Sequence, residues 1–122
     1  MPVTGIGGFF FRSKDTKALA EWYLTHLGVG APEGACVWDQ QAGPTVFAPF
    51  KEDSDYFAAD HRWMLNLRVE GMDDLLASLT AAGIEVITKP EWEAPEIGRF
   101  ARIHDPEGNP IELWEPASPP AA

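Results

Sequence analysis

Residues 64–88 read MLNLRVEGMDDLLASLTAAGIEVIT, and the fold follows from how that stretch is patterned. Leu65, Leu67 and Val69 alternate with Met64, Asn66 and Arg68, the period of a strand with two unlike faces. Gly71 breaks the strand, and Asp73 and Asp74 then occupy a first helical turn, where the helix dipole favours negative charge. Met72, Leu75, Leu76, Leu79 and Ala82 recur at helical spacing, and Gly83 stops the helix. Glu85 to Thr88 returns to strand character.

The same order occurs upstream. Residues 5–12, GIGGFFFR, read as a strand with Phe9 and Phe11 on one face. Asp15 can cap a helix carrying Ala18, Leu19, Trp22, Tyr23 and Leu27, and Gly28 ends it. The pair Gly28-Val29 recurs as Gly83-Ile84 about 55 positions later, too long a period for a solenoid and with only two copies. Ala35 to Gln40 and Thr45 to Phe50 read as two more strands joined through Gly43 and Pro44. A polar connection spans residues 51–62. After the second unit come an acidic loop from Lys89 to Gly98, a strand from Phe100 to His104, a tight turn at Asp105-Pro106-Glu107-Gly108 and a last strand from Ile111 to Trp114. The Ala/Pro tail, residues 117–122, is expected to fray. Two half-domains sharing one sheet fit this pattern. Their apolar faces point at the helices, and the opposite faces line a common concave surface.

Composition narrows the possibilities. A chain of 122 residues fits one domain with one core. Nothing approaches the ~18 apolar residues of a membrane span. The start MPVTGIGGFFFRSKD lacks the layout of a signal peptide. Cys36 is the single cysteine, so neither an internal disulfide nor a cysteine-rich zinc site is available, and a cytoplasmic location is the default expectation. The formal charge is −10 with no basic cluster, which argues against nucleic acid as a partner.

Three stretches carry a resemblance to a known superfamily. They are Phe11 to Asp15 with Trp22-Tyr23 and Leu27-Gly28-Val29; Leu67 to Glu70 with Leu75, Leu76 and Ala81 to Val86; and Asp105-Pro106-Glu107-Gly108-Asn109-Pro110-Ile111-Glu112-Leu113-Trp114. In their order and spacing they resemble the vicinal oxygen chelate superfamily of glyoxalases, bleomycin-resistance proteins and extradiol dioxygenases, from about residue 5 to residue 116. The resemblance implies an α+β fold of two βαβββ modules, about 5–50 and 62–116, whose strands form one curved mixed sheet, a cup, with a helix outside each module. It also implies a homodimer and, in enzyme members, a divalent metal held by His or Glu on the first strand of each half and on the last strands. Those first-strand positions fall here on Gly8 and Met64, and the last strand of the first half lies in Thr45-Val46-Phe47. Only Glu112 matches. No cofactor and no divalent metal are expected; an unconventional metal site would use Glu112 with His104. His26, near a helix C-terminus, is expected in a structural role rather than as a ligand, and His61 lies in the polar connection.

Alternation then sorts the cup. Phe10 and Arg12, Met64, Asn66 and Arg68, and Glu112 and Trp114 are its expected lining, a mixture of aromatic and polar groups typical of ligand pockets. Trp38 and Tyr56 are further candidates for stacking or for a dimer contact. The loop of residues 91–98 reads either as a lid, with Trp92 stacking on a flat ligand and Glu96 as an acid or base, or as a solvated connector. Arg12 or Arg68 either meets a ligand or pairs with Glu112 across the sheet. Glu112 is either a general base or a relic that satisfies neighbouring groups. Three functions compete. The first is binding of a small aromatic or amphipathic molecule without the usual metal, with or without a proton-transfer step of lyase or isomerase type. The second is a metal-dependent lyase, similar to lactoylglutathione lyase, or a ring-cleaving dioxygenase, with rearranged ligands. The third is a protein whose dimer surface is its function. None involves a membrane.

Overall fold

The computed structural model describes residues 2–30 and 37–117. Its elements are helix α1 (Thr16–Leu27), strand β1 (Leu65–Arg68), helix α2 (Met72–Ala81), a 3-10 turn (Pro90–Trp92), and strands β2 (Glu93–Ala94), β3 (Gly98–His104) and β4 (Pro110–Pro116).

Both helices sit where their caps put them. The Asp15 carboxylate accepts from the Ala18 N–H at 3.0 Å and opens α1. Gly28, at φ 69°, closes it, with its N–H on the Leu24 carbonyl and that of Val29 on Tyr23. Helix α2 begins at Gly71, which has no side chain to cap it. Glu115 of β4 does so instead, accepting from the Met72 N–H at 2.8 Å. The sheet thereby fixes the start of α2.

The sheet has the order β1-β4-β3-β2, with β1 parallel to β4 and the remaining pairs antiparallel. One face carries Leu67, Ile111, Leu113, Ala101 and Ile103, all buried against Leu19 and Tyr23 of α1 and Met72 and Leu79 of α2. Each large side chain in this layer contributes about 1.5–3 kcal/mol by leaving water. This is an α+β mixed sheet with helices on one side.

The closing turn does more than reverse the chain. The buried Asp105 carboxylate accepts from the Tyr23 hydroxyl (2.7 Å), the Asn109 side-chain amide (2.7 Å) and the backbone N–H groups of Glu107 (2.9 Å) and Asn109 (3.0 Å). Burial, and then the bond to Asp105, push the Tyr23 hydroxyl well above the ordinary tyrosine range, so it stays a donor. Glu107 accepts from the Ser13 hydroxyl and the Lys14 and Asp15 N–H groups just before α1, and those bonds hold its carboxyl below the usual range. The turn thus clamps the first helix onto the second half of the chain.

The first half departs from expectation. Residues 5–12, 37–40 and 45–50 form no strand, and Ala35 and Cys36 of an expected strand lie outside the described residues. The described sheet therefore belongs to the second module alone; the first contributes α1 and extended segments. Phe9 and Phe11 still pack as alternation requires, against Trp63 (4.9 and 5.4 Å between ring centroids), with Phe11 also 6.3 Å from Tyr23. Other side chains of these segments stay exposed: Phe10 is 93% exposed, Phe47 88% and Val46 75%. Alternation marks a chain as two-faced, but a ladder also needs a partner strand in register. The expected strand Glu85–Thr88 reduces to one bridge, between Ile87 and Arg102, for the same reason. Conversely, the stretch expected to be loop, Lys89–Gly98, contains the 3-10 turn and β2.

Candidate functional site

The sheet face turned away from the helices holds most of the expected lining. Three rows cross it in register. His104 pairs with Pro110; Arg102 with Glu112 and Glu112 with Asn66; Phe100 with Trp114 and Trp114 with Arg68. Because side chains alternate, each row lies on the opposite face from the core residues between them. Met64 immediately precedes β1 and is half-buried.

The middle row is the chemical centre. Glu112 is 7% exposed and Arg102 6%, both unusual for charged groups. Glu112 accepts from the Tyr56 hydroxyl through a short hydrogen bond at one oxygen and from the Asn66 amide, 2.7 Å away, at the other. Burial first, and then that carboxylate, push the Tyr56 hydroxyl up to about 12. Tyr56 therefore remains a protonated donor at neutral pH. Arg102 lies between two rings, its guanidinium carbon 5.0 Å from the Tyr56 centroid and 5.4 Å from that of Trp92. It donates through Nη2 to the Tyr56 carbonyl at 3.1 Å. Its Nε is buried and has no hydrogen-bond partner among the described residues.

The next row is aromatic. Phe100 and Trp114 lie 6.1 Å apart with 4° between their planes, and the Trp114 indole N–H is fixed on the Ile97 carbonyl at 2.9 Å. Arg68 donates to the Gln41 carbonyl at 2.7 Å, so the first-half segment passes over this corner. At Gly43 an added Cβ would fall 1.7 Å from Arg68 Nη1, which places that glycine against the guanidinium.

Asn66, Arg68, Trp92, Glu112 and Trp114 are thus brought together. Neither arginine expected beside Glu112 pairs with it: Arg68 turns to Gln41, and Arg12 is exposed. The glutamate is satisfied by Tyr56 and Asn66 instead. Phe10 and Trp38 are exposed and have no stacking partner among the described residues. Glu96 is exposed in the turn between β2 and β3, which the Ile97 N–H to Ala94 carbonyl bond closes. Trp92 lies 5.8 Å from Tyr56 between ring centroids, with the Lys89 ammonium 5.2 Å from its ring. Arg102 and Phe100 had been legible only as strand residues. Counting alternate positions back from His104 puts both on its face, but their meeting with Glu112 depends on cross-strand register.

The donors that the described residues bring to this face are a poor set for a divalent metal. Gly8 offers no donor and Met64 a thioether, a poor ligand for such ions. Glu112 has both oxygens engaged, and its register neighbours are an amide and a guanidinium. Among the described residues, no three His, Cys, Asp or Glu side chains converge. His104, at the end of β3, has its imidazole held below the ordinary range by partial burial and then by the Arg102 charge.

The family model described as a glyoxalase-like domain matches residues 8–114. The chain belongs to that family, within the vicinal oxygen chelate superfamily. Among solved structures it is similar to TnmS3, an antibiotic-binding protein from Streptomyces sp. CB03234, at 25% identity and a TM-score of 0.60; the match covers 96% of this chain and 99% of that chain. Comparison with curated proteins yields no match. No helix among the described residues is long and apolar enough to cross a membrane.

Proposed function

We propose that this protein binds a small aromatic or amphipathic molecule on the open face of its sheet, without a catalytic metal. The observation that carries this reading is the register row Asn66–Glu112–Arg102 set beside the parallel rings of Phe100 and Trp114. Buried polar groups beside aromatic surface are what a ligand site needs to orient a flat molecule. Similarity to an antibiotic-binding protein supports the same reading. Glu112 orients Tyr56 and Asn66 and is not a free base. A second copy of the chain supplies what the first module lacks: its exposed segments, residues 5–12 and 45–50, pair in a cytoplasmic homodimer and complete a two-module cup.

The test is equilibrium binding of planar aromatic antibiotics, read by tryptophan fluorescence, together with elemental analysis of protein purified without chelators. Saturable binding at substoichiometric metal, weakened about ten-fold in Trp114→Ala, is expected, in line with the loss of one aromatic contact surface. A stoichiometric divalent ion that is lost in Glu112→Gln would favour the metal-dependent lyase or dioxygenase reading and reject this one.

A further inference from the structure

We propose that Arg102 is the recognition group of the open face, and that the molecule bound there is a planar aromatic carrying an anionic oxygen. The inference rests on reading that face as a ligand site and goes beyond it in naming the ligand's charge.

The first argument is an unmet need. A guanidinium is costly to bury unless its charge and its donors are answered. Arg102 is 6% exposed, yet no carboxylate lies within ion-pair distance among the described residues. Its register partner Glu112 is bound to Tyr56 and Asn66. Two rings and one backbone carbonyl answer the charge in part, and Nε–H is left without an acceptor. An anionic oxygen is the group that completes this set, and guanidinium forks hold such oxygens with short, charge-assisted bonds.

The second argument is local charge. The chain carries −10 overall, yet Arg102 and Arg68 stand in the rows of this face and Lys89 lies against Trp92 beside them, while the nearest carboxylate in register, Glu112, is already bound. These cations favour an anionic group over a cationic one beside Arg102.

The third is shape. Phe100 lies two residues before Arg102 on β3, so the parallel Phe100–Trp114 pair begins one row away. A flat ring set against that pair lies one row along β3 from Arg102, so a substituent at its edge can reach toward the guanidinium. Trp92 covers Arg102 from a single 3-10 turn, so it is the group that shifts as the oxygen arrives.

The experiment is calorimetric titration of the full chain with three probes of one ring system: 2-naphthoate, 2-naphthalenemethanol and 2-naphthylmethylammonium. Naphthoate should bind about ten-fold more tightly than the alcohol, and the ammonium most weakly, with the preference shrinking as salt is raised. In Arg102→Gln the three should converge to within about two-fold, whereas Arg68→Gln and Lys89→Gln should keep the order. Trp92 should report the event: its replacement by Phe removes the naphthoate-specific fluorescence change and leaves the calorimetric order intact. If Arg102→Gln does not fold, retention of the order in both other variants assigns it to Arg102. Equal binding of alcohol and naphthoate, or collapse of the order in Arg68→Gln, overturns the proposal while the ligand-face reading stands. Failure of all three probes to bind overturns both.

Discussion

Tyr56 and Glu112 show how much one hydroxyl can hold. The carboxylate is buried, and Tyr56 satisfies one of its oxygens while Tyr56's own carbonyl and ring serve Arg102. Removing the hydroxyl in Tyr56→Phe leaves a buried charged acceptor short of a donor, a loss of about 1.5–3 kcal/mol, toward the lower end because the tyrosine is only half-buried. The pH dependence has a definite sign. The fold raises the hydroxyl from its ordinary value near 10 to about 12, so it favours the protonated form. The contribution of Tyr56 is full below about pH 10 and vanishes as the pH rises through about 12. Urea unfolding of wild type and Tyr56→Phe should therefore differ by a constant amount up to about pH 10, and the gap should close above it. A gap independent of pH would disprove the coupling. Glu112 and Asn66 were legible as residues of this face, because alternation along a strand needs only the strand itself. Tyr56 was legible as an aromatic for stacking or a dimer contact but not as the donor to Glu112, since no periodicity ties a loop residue to a strand some fifty positions away.

Elements differ in how much of their own reason they carry. Helices α1 and α2 were readable because their apolar stripes and glycine stops are local; the Glu115 cap of α2, which comes from β4, was not. Strands β3 and β4 were readable because a short turn brings them together, and β1 because its alternation stands on its own, although its partner β4 lies far along the chain. Segments 5–12 and 45–50 carry the same alternation without a ladder, since pairing needs a second strand in register as well as a two-faced segment. Gly98, where β3 begins, is an element-scale necessity. It sits at φ 126°, and a Cβ there would lie 2.1 Å from the Glu115 carbonyl oxygen, which belongs to the strand backbone and cannot step aside. Gly98→Ala must both enter a backbone region that side chains avoid and open the β3–β4 ladder at Pro116. The expected loss is about 3 kcal/mol or more, read by thermal unfolding, with Trp114 fluorescence altered because the Ile97 carbonyl that holds its indole is the adjacent residue. An unchanged melting curve would mean that β3 begins elsewhere.

At the scale of the molecule, two opposing forces decide its assembly. Each chain carries −10, so two copies repel. Against this, Phe10, Val46 and Phe47 stand exposed on segments that lack a partner strand, which makes an apolar surface of the kind that marks an interface. The helix-bearing side of the sheet is already closed by its core, so the sheet itself is available to a partner only through its other face, and the first-module segments add exposed apolar surface. If the homodimer proposed above forms through Val46 and Phe47, replacing either by Asp adds a charge to the buried centre and should raise the dimer dissociation constant by about ten-fold or more. Salt supplies an independent sign. Apolar association opposed by like charge strengthens as ions screen the repulsion, so the wild-type dimer should tighten on raising sodium chloride, while a dimer held by ion pairs would loosen. Light scattering coupled to gel filtration across a dilution series reads both effects. A chain that stays monomeric at the highest concentration, or a Phe47→Asp variant that dimerises as the wild type does, would show that these segments are covered in some other way.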